Sequence, residues 1–220
     1  MSFTHQETLS NAVSGTNANV YLAGAPSSGE LVVMYVHAGG PQTITPDADG
    51  GAAWTLGANV ENPGSETARH GMWWKIANGS EPSNMSATIG SSDNWHIAVS
   101  VYSSASDAEV DAAAASHIQT TNANDMIGGA VRSQVISDDA VSFIGCGKDN
   151  RSVSAEVYTT ADDSYTNVTG GMNNQRTALA SRVFTTGKTY GASDNVTIQT
   201  DDGNDGSNDK TYSIHMSFVE

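Results

Sequence analysis

The sequence predicts an all-β protein, an antiparallel, jelly-roll-like β-sandwich built by internal duplication, and three observations predict it. Gly, Ser, Thr, Asn and Ala abound while charged residues make up only 15% of the chain, which suits many short strands joined by turns better than helices. Gly29-Glu-Leu-Val-Val-Met-Tyr-Val-His37 is the longest run of strand formers, with Leu31, Val33 and Tyr35 on one face and Val32, Met34 and Val36 on the other. Both faces are apolar, as in a strand buried between two layers. Finally, Asp139-Ala-Val-Ser-Phe-Ile144 repeats that plan, entered through an acidic turn and left through Gly145 and Gly147.

Residues 1–22 are polar with scattered apolar positions such as Leu9, Val13, Val20 and Leu22. They are expected to form edge strands or an N-terminal arm that orders on a neighbouring subunit. The turn Ala25-Pro-Ser-Ser-Gly29 leads into the central strand, and Pro46-Asp-Ala-Asp-Gly-Gly51 and Asn62-Pro-Gly64 mark later turns around a short strand carrying a core Trp54. Over 67–77, Met72, Trp74 and Ile76 share one strand face and Trp73 and Lys75 the other, which makes Trp73 a candidate partly exposed aromatic. Asn84–Ile89 is a further short strand. Over 95–102, Trp95, Ile97, Val99 and Val101 are expected inward and His96, Ala98, Ser100 and Tyr102 opposite. Residues 107–116 have the one notable helix propensity, with Asp107 as an N-cap, and a short helix and an extended crossover are both open.

The second half replays the first. Strand 139–145 answers 30–36, Tyr165 answers Trp54, Arg176 to Phe184 sits where Arg69 to Ile76 sat, and Asn195–Thr200 parallels Asn84–Ile89. In the last segment Tyr212, Ile214, Met216 and Phe218 take the roles of Trp95, Ile97, Val99 and Val101. The expected organisation is one sandwich over 23–220 made of two related halves, about 23–106 and 120–220. The rival is two separate small sandwiches. No Pro-rich or Ser-rich linker lies near 105–120 to separate them.

A formal net charge of −15, from 24 acidic and 9 basic residues, opposes binding to phosphate backbones and anionic membranes. The expectation is no nucleic-acid partner and no membrane. The first residues lack a basic and apolar leader, so synthesis and folding in a cytoplasm are expected. Cys146, the single cysteine, reads as a buried small apolar residue.

The usual catalytic motifs are absent from the sequence, which predicts a protein that is not an enzyme and has no catalytic residue. The six histidines share no metal-ligand spacing, and His96 and His215 are expected on outward strand faces. The loop Asp201-Asp-Gly-Asn-Asp-Gly-Ser-Asn-Asp209 offers oxygen ligands for Ca²⁺ at Asp201, Asp205 and Asp209, but it lacks the closing glutamate of an EF-hand, since Tyr212 stands there. A solvated turn is its plain reading, and no other cofactor is expected. Trp73 and Tyr102 are the aromatics on which a glycan-binding surface would rest.

The order Gly-Glu-Leu-Val-Val, Ala-Trp-Thr, Arg-x-x-Met-Trp-Trp-Lys-Ile-Ala, Ser-Ala-Thr-Ile and Trp-His-Ile-Ala-Val-Ser-Val-Tyr, over residues 29–104 with an echo over 139–219, resembles β-sandwich structural proteins of tailed bacteriophages and some bacterial surface proteins. The second half lacks the Trp and Lys residues of the pattern. The resemblance implies a virion component: a capsid decoration or cement protein on the particle surface, or a tail or fibre component. Its expected partners are further copies of itself, as a homo-oligomer, and other virion proteins. A glycan-binding module is the other expectation.

Overall fold

Runs of Val, Ile, Thr and aromatic residues at period two build strands through the described residues, and turn formers separate them. The computed structural model describes residues 3–40, 42–61, 68–103, 106–119, 126–148, 158–161, 164–172, 176–200 and 210–220. The first half supplies β1 (Thr4–Tyr21), β2 (Leu31–Ala38), β3 (Ile44–Pro46), β4 (Thr55–Glu61), β5 (Arg69–Ile76) and β6 (Asn84–Ser103). The second supplies β7 (Glu109–Gln119), β8 (Met126–Gly128), β9 (Val135–Ile136), β10 (Ala140–Lys148), β11 (Tyr158–Ala161), β12 (Thr166–Met172), β13 (Arg176–Phe184), β14 (Lys188–Thr189), β15 (Val196–Thr200) and β16 (Lys210–Val219). One 3₁₀ turn, Gly129–Val131, is the helical element among the described residues. The chain is an all-β antiparallel sandwich.

Each large sheet comes from one half of the chain. The first runs β1-β6-β2-β5-β4 and the second β12-β13-β10-β16-β7. Read from opposite edges, the two orders are the same, with β1, β6, β2, β5 and β4 answered by β7, β16, β10, β13 and β12. The small strands obey the same rule. β3 pairs with the first part of β6, which pairs with the last part of β1, and β11-β15-β8 repeats that arrangement. This shared topology supports the duplication read from the sequence.

The sheets stack with β1 beside β12, β4 beside β7, β5 over β16 and β6 over β13. Exchanging the two halves reproduces this list, so the contact is isologous, like that of a two-fold dimer, but lies within one chain. Its axis runs along the strands between β2 and β10. Leu31, Val33, Tyr35 and Met72 of the first sheet share a core there with Val141, Phe143, Ile214, Met216 and Phe218 of the second.

Two further cores lie on the outer faces. Val32, Met34, Val36, Ile97 and Val99 are covered by Ala18, Val20, Ile44, Met85 and Ala87, because β1 and β6 bend back over their own sheet. Gly15, at φ 137°, sits at the bend of β1, where the register against β6 shifts. In the second half Ile144, Cys146, Ala178 and Ala180 pack with Val196 and Ile198 of β15. The molecule therefore has four layers. The passage of strands between layers that the jelly-roll-like expectation describes occurs inside each half, and each half also has the outer layer of a small sandwich of its own.

Several expectations are corrected by this layering. His96 and Tyr102 face the space between the large sheets, whereas Trp95, Ile97, Val99 and Val101 belong to the outer core. Tyr212 and Phe218 occupy the register positions of His96 and Tyr102, one residue away from the alignment read in the sequence. Both faces of these strands are buried, so alternation gave no phase. Of the two expectations for residues 1–22, the edge strand is the one that forms: Thr4–Tyr21 is β1, paired with β6. Ala112–Ala115 lie in strand β7 despite their helix propensity, because pairing with β16 overrides it.

Candidate functional site

The polar chemistry of the interior is concentrated in a row of histidines across three neighbouring strands. His37 on β2 stands opposite His70 on β5 and opposite His96 on β6, at one end of the contact between the large sheets. Their counterparts in the second half are Gly147, Thr177 and Tyr212. A side chain on Gly147 would collide with His37 and His70, so the imidazoles fill the space the glycine leaves. His37 and His70 stack with centroids 4.1 Å apart and planes 17° apart. His37 Nδ1 shares a 2.6 Å hydrogen bond with Thr177 Oγ1, and His70 Nδ1 one of 2.7 Å with the Tyr35 hydroxyl.

Burial holds His70 well below the usual imidazole value, and the neighbouring His37 lowers it further. His96 is pushed down to about 3 by burial alone. Nε2 of His70 and both ring nitrogens of His96 have no hydrogen-bond partner among the described residues. His70 and His96 are thus held neutral. Ring nitrogens point their lone pairs in the ring plane, and parallel rings do not aim them at one point; among the described residues no group of three His, Cys, Asp or Glu is placed to hold a metal ion.

His215 is also buried rather than outward. It lies on the outer side of β16, where its Nε2 is 2.8 Å from Ser142 Oγ, which in turn is 2.6 Å from the Tyr165 hydroxyl. Burial pushes His215 down to about 4 against the opposing pull of Asp111. Cys146 is buried as expected, and burial pushes its thiol well above the usual range, which removes it as a nucleophile.

A sizeable opening lies on the outer face of the first sheet. A cavity of about 530 Å³ is lined by Ile44, Thr45, the 48–53 loop, Trp54 and Trp73. The loop is held off the sheet by carboxylates. Asp49 accepts from Lys75 Nζ at 2.6 Å and from the Gly51 N–H at 3.0 Å, and Asp47 accepts from the Ser86 hydroxyl at 2.8 Å. Glu81 accepts from the N–H groups of Ala52, Asn78 and Gly79 at 2.8, 3.0 and 2.9 Å. Burial works to raise the Glu81 carboxyl, but these donors keep it below its usual value. Gly51 is required there, since a Cβ would lie 2.5 Å from Glu81 Oε1. Lys75 is buried beneath, its Nζ 4.5 Å from the Trp54 ring centroid.

The aromatics expected to be exposed are placed differently from the sequence reading. Tyr102 is fully buried and hydrogen-bonded to Ser181 at 2.7 Å, so it cannot present a face to a glycan. Trp73 is 8% exposed and does share its strand face with Lys75, but it belongs to the outer core and forms one wall of the cavity. Trp54 and Trp74 are the half-buried tryptophans. The cavity joins positions about twenty residues apart; the turn 46–51 and the candidate aromatic Trp73 were sequence signals near it, but nothing in the sequence joined them to Trp54. Asp201, Asp205 and Asp209 lie outside the described residues. Comparison with protein-family models, curated proteins and solved structures finds no match to this chain.

Proposed function

We propose that this chain is a non-enzymatic structural protein of a bacteriophage particle, acting on the particle surface as a capsid decoration or cement protein through contacts between copies and with other virion proteins. The observation that carries the reading is an apolar edge. β4 and β7 are both edge strands and lie side by side, and they expose Leu56 and Val110 at 48% and 40%. An open strand edge with apolar side chains favours association with another chain. A contact of ~1,600 Å² is enough for specific binding, and repetition over a shell adds avidity. The resemblance of residues 29–104 supplies the virion setting.

The test is labelling and imaging of particles that carry the protein. Density or label over the head surface supports the decoration reading. Label confined to a tail or fibre replaces it with the tail or fibre reading, and its absence from particles refutes both.

A further inference from the structure

The internal duplication provides a comparison for the Trp54–Trp73 cavity. The registers equate Trp54 with Tyr165, Trp73 with Ala180, Lys75 with Arg182 and Ala77 with Phe184. In the second half the space is filled: Tyr165 and Phe184 are 2% and 1% exposed and meet edge to face at 6.3 Å, and Arg182 lies 4.1 Å from the Phe184 ring. Among the described residues, Tyr165 and Phe184 therefore pack where Trp54 and Ala77 leave room in the first half. In the first half the corresponding small residue is Ala77, and the Asp49–Lys75 and Glu81–Ala52 contacts prop the loop open.

We infer that the cavity between Trp54, Trp73 and the 48–53 loop is a binding site for one neutral pyranose ring. The volume falls within the range of small-ligand sites. Two indoles offer the apolar surface against which the C–H face of a sugar packs. Among the lining residues, exposed Thr45 carries a hydroxyl able to bond a ring hydroxyl. The cation that would attract an acidic sugar, Lys75, is already neutralised by Asp49 and Glu81, and the net charge of −15 repels anions. A cationic ligand is disfavoured because Lys75 already lies against the Trp54 ring. The site rests on the cavity alone and stands or falls independently of the assembly reading.

The test is titration of the full chain with the methyl glycosides of glucose, galactose, mannose and N-acetylglucosamine, with glucuronic acid and indole as controls, followed by tryptophan fluorescence and calorimetry. The expected result is saturable binding of at least one neutral glycoside and none of glucuronic acid. Trp54→Ala and the rim substitution Ala48→Arg, which adds bulk at an exposed position, are each expected to weaken it about tenfold or more while the melting transition of Ala48→Arg stays unchanged. Saturable binding to none of the glycosides, binding of indole alone, or binding unaffected by Ala48→Arg would each overturn the assignment.

Discussion

Tyr35 lies over Gly145, its own counterpart in the second half of the chain: a Cβ on Gly145 would come within 2.5 Å of the Tyr35 ring. A residue that meets its own counterpart marks the two-fold axis of an isologous contact. Neighbouring contacts follow the same exchange. Tyr102 bonds to Ser181 on one side of the axis, and their counterparts Phe218 and Trp74 meet edge to face at 5.3 Å on the other.

Gly145→Ala is therefore expected to destabilise the chain by about 1–3 kcal/mol through overpacking. The check is a double-mutant cycle in urea with Tyr35→Leu. A large coupling between the two substitutions is expected, because the smaller side chain relieves the clash. Additive effects would place the strain elsewhere.

Buried His70, His96 and His215 make stability depend on pH. His96 and His215 have folded pKa values of about 3 and about 4, and His70 is lowered as well, all below the ordinary imidazole value of 6.5. The unfolded chain therefore binds protons that the folded chain does not. Stability is full above about pH 6.5 and falls as pH drops toward 3, at up to ~1.4 kcal/mol per pH unit for each such histidine. Urea midpoints measured from pH 7.5 to 4 should fall, and His96→Leu should flatten the fall.

How far the sequence carried this account depends on what each strand faces. The runs at 31–38 and 140–148 were legible because both faces are apolar, and for the same reason their phase was not: Val32 and Val33 are equally buried, in different cores. Over 95–102 the bulky residues marked one face as inner, but Ala98 and Ser100 are small enough to let the sheets approach and so form the true inner face. His70 looked ordinary in sequence because its stacking on His37 and the space above Gly147 are purely tertiary. The cavity was illegible for the same reason, since Trp54 and Trp73 are joined only by the pairing of β4 with β5 and by a loop anchored on Glu81.

Lys75 and its carboxylates give an asymmetric expectation. Lys75 is fully buried at its side chain, 2.6 Å from Asp49 and 3.8 Å from Glu81. Asp49→Ala leaves that cation with its nearest partner gone and is expected to cost about 3–5 kcal/mol. Lys75→Met should cost less, because Asp49 and Glu81 keep their backbone N–H donors. Thermal melts of the two variants side by side check the order, and the reverse order would show that the cation is not held by Asp49.

The measurement that bears most directly on the assembly reading is the mass of the purified chain in solution by light scattering, with Ca²⁺ and with chelator, beside the double variant Leu56→Lys, Val110→Lys. The account predicts a discrete multimer of the 220-residue chain that the double variant reduces to a monomer of unchanged melting temperature. A monomer at every concentration, or a multimer indifferent to both substitutions, would contradict it.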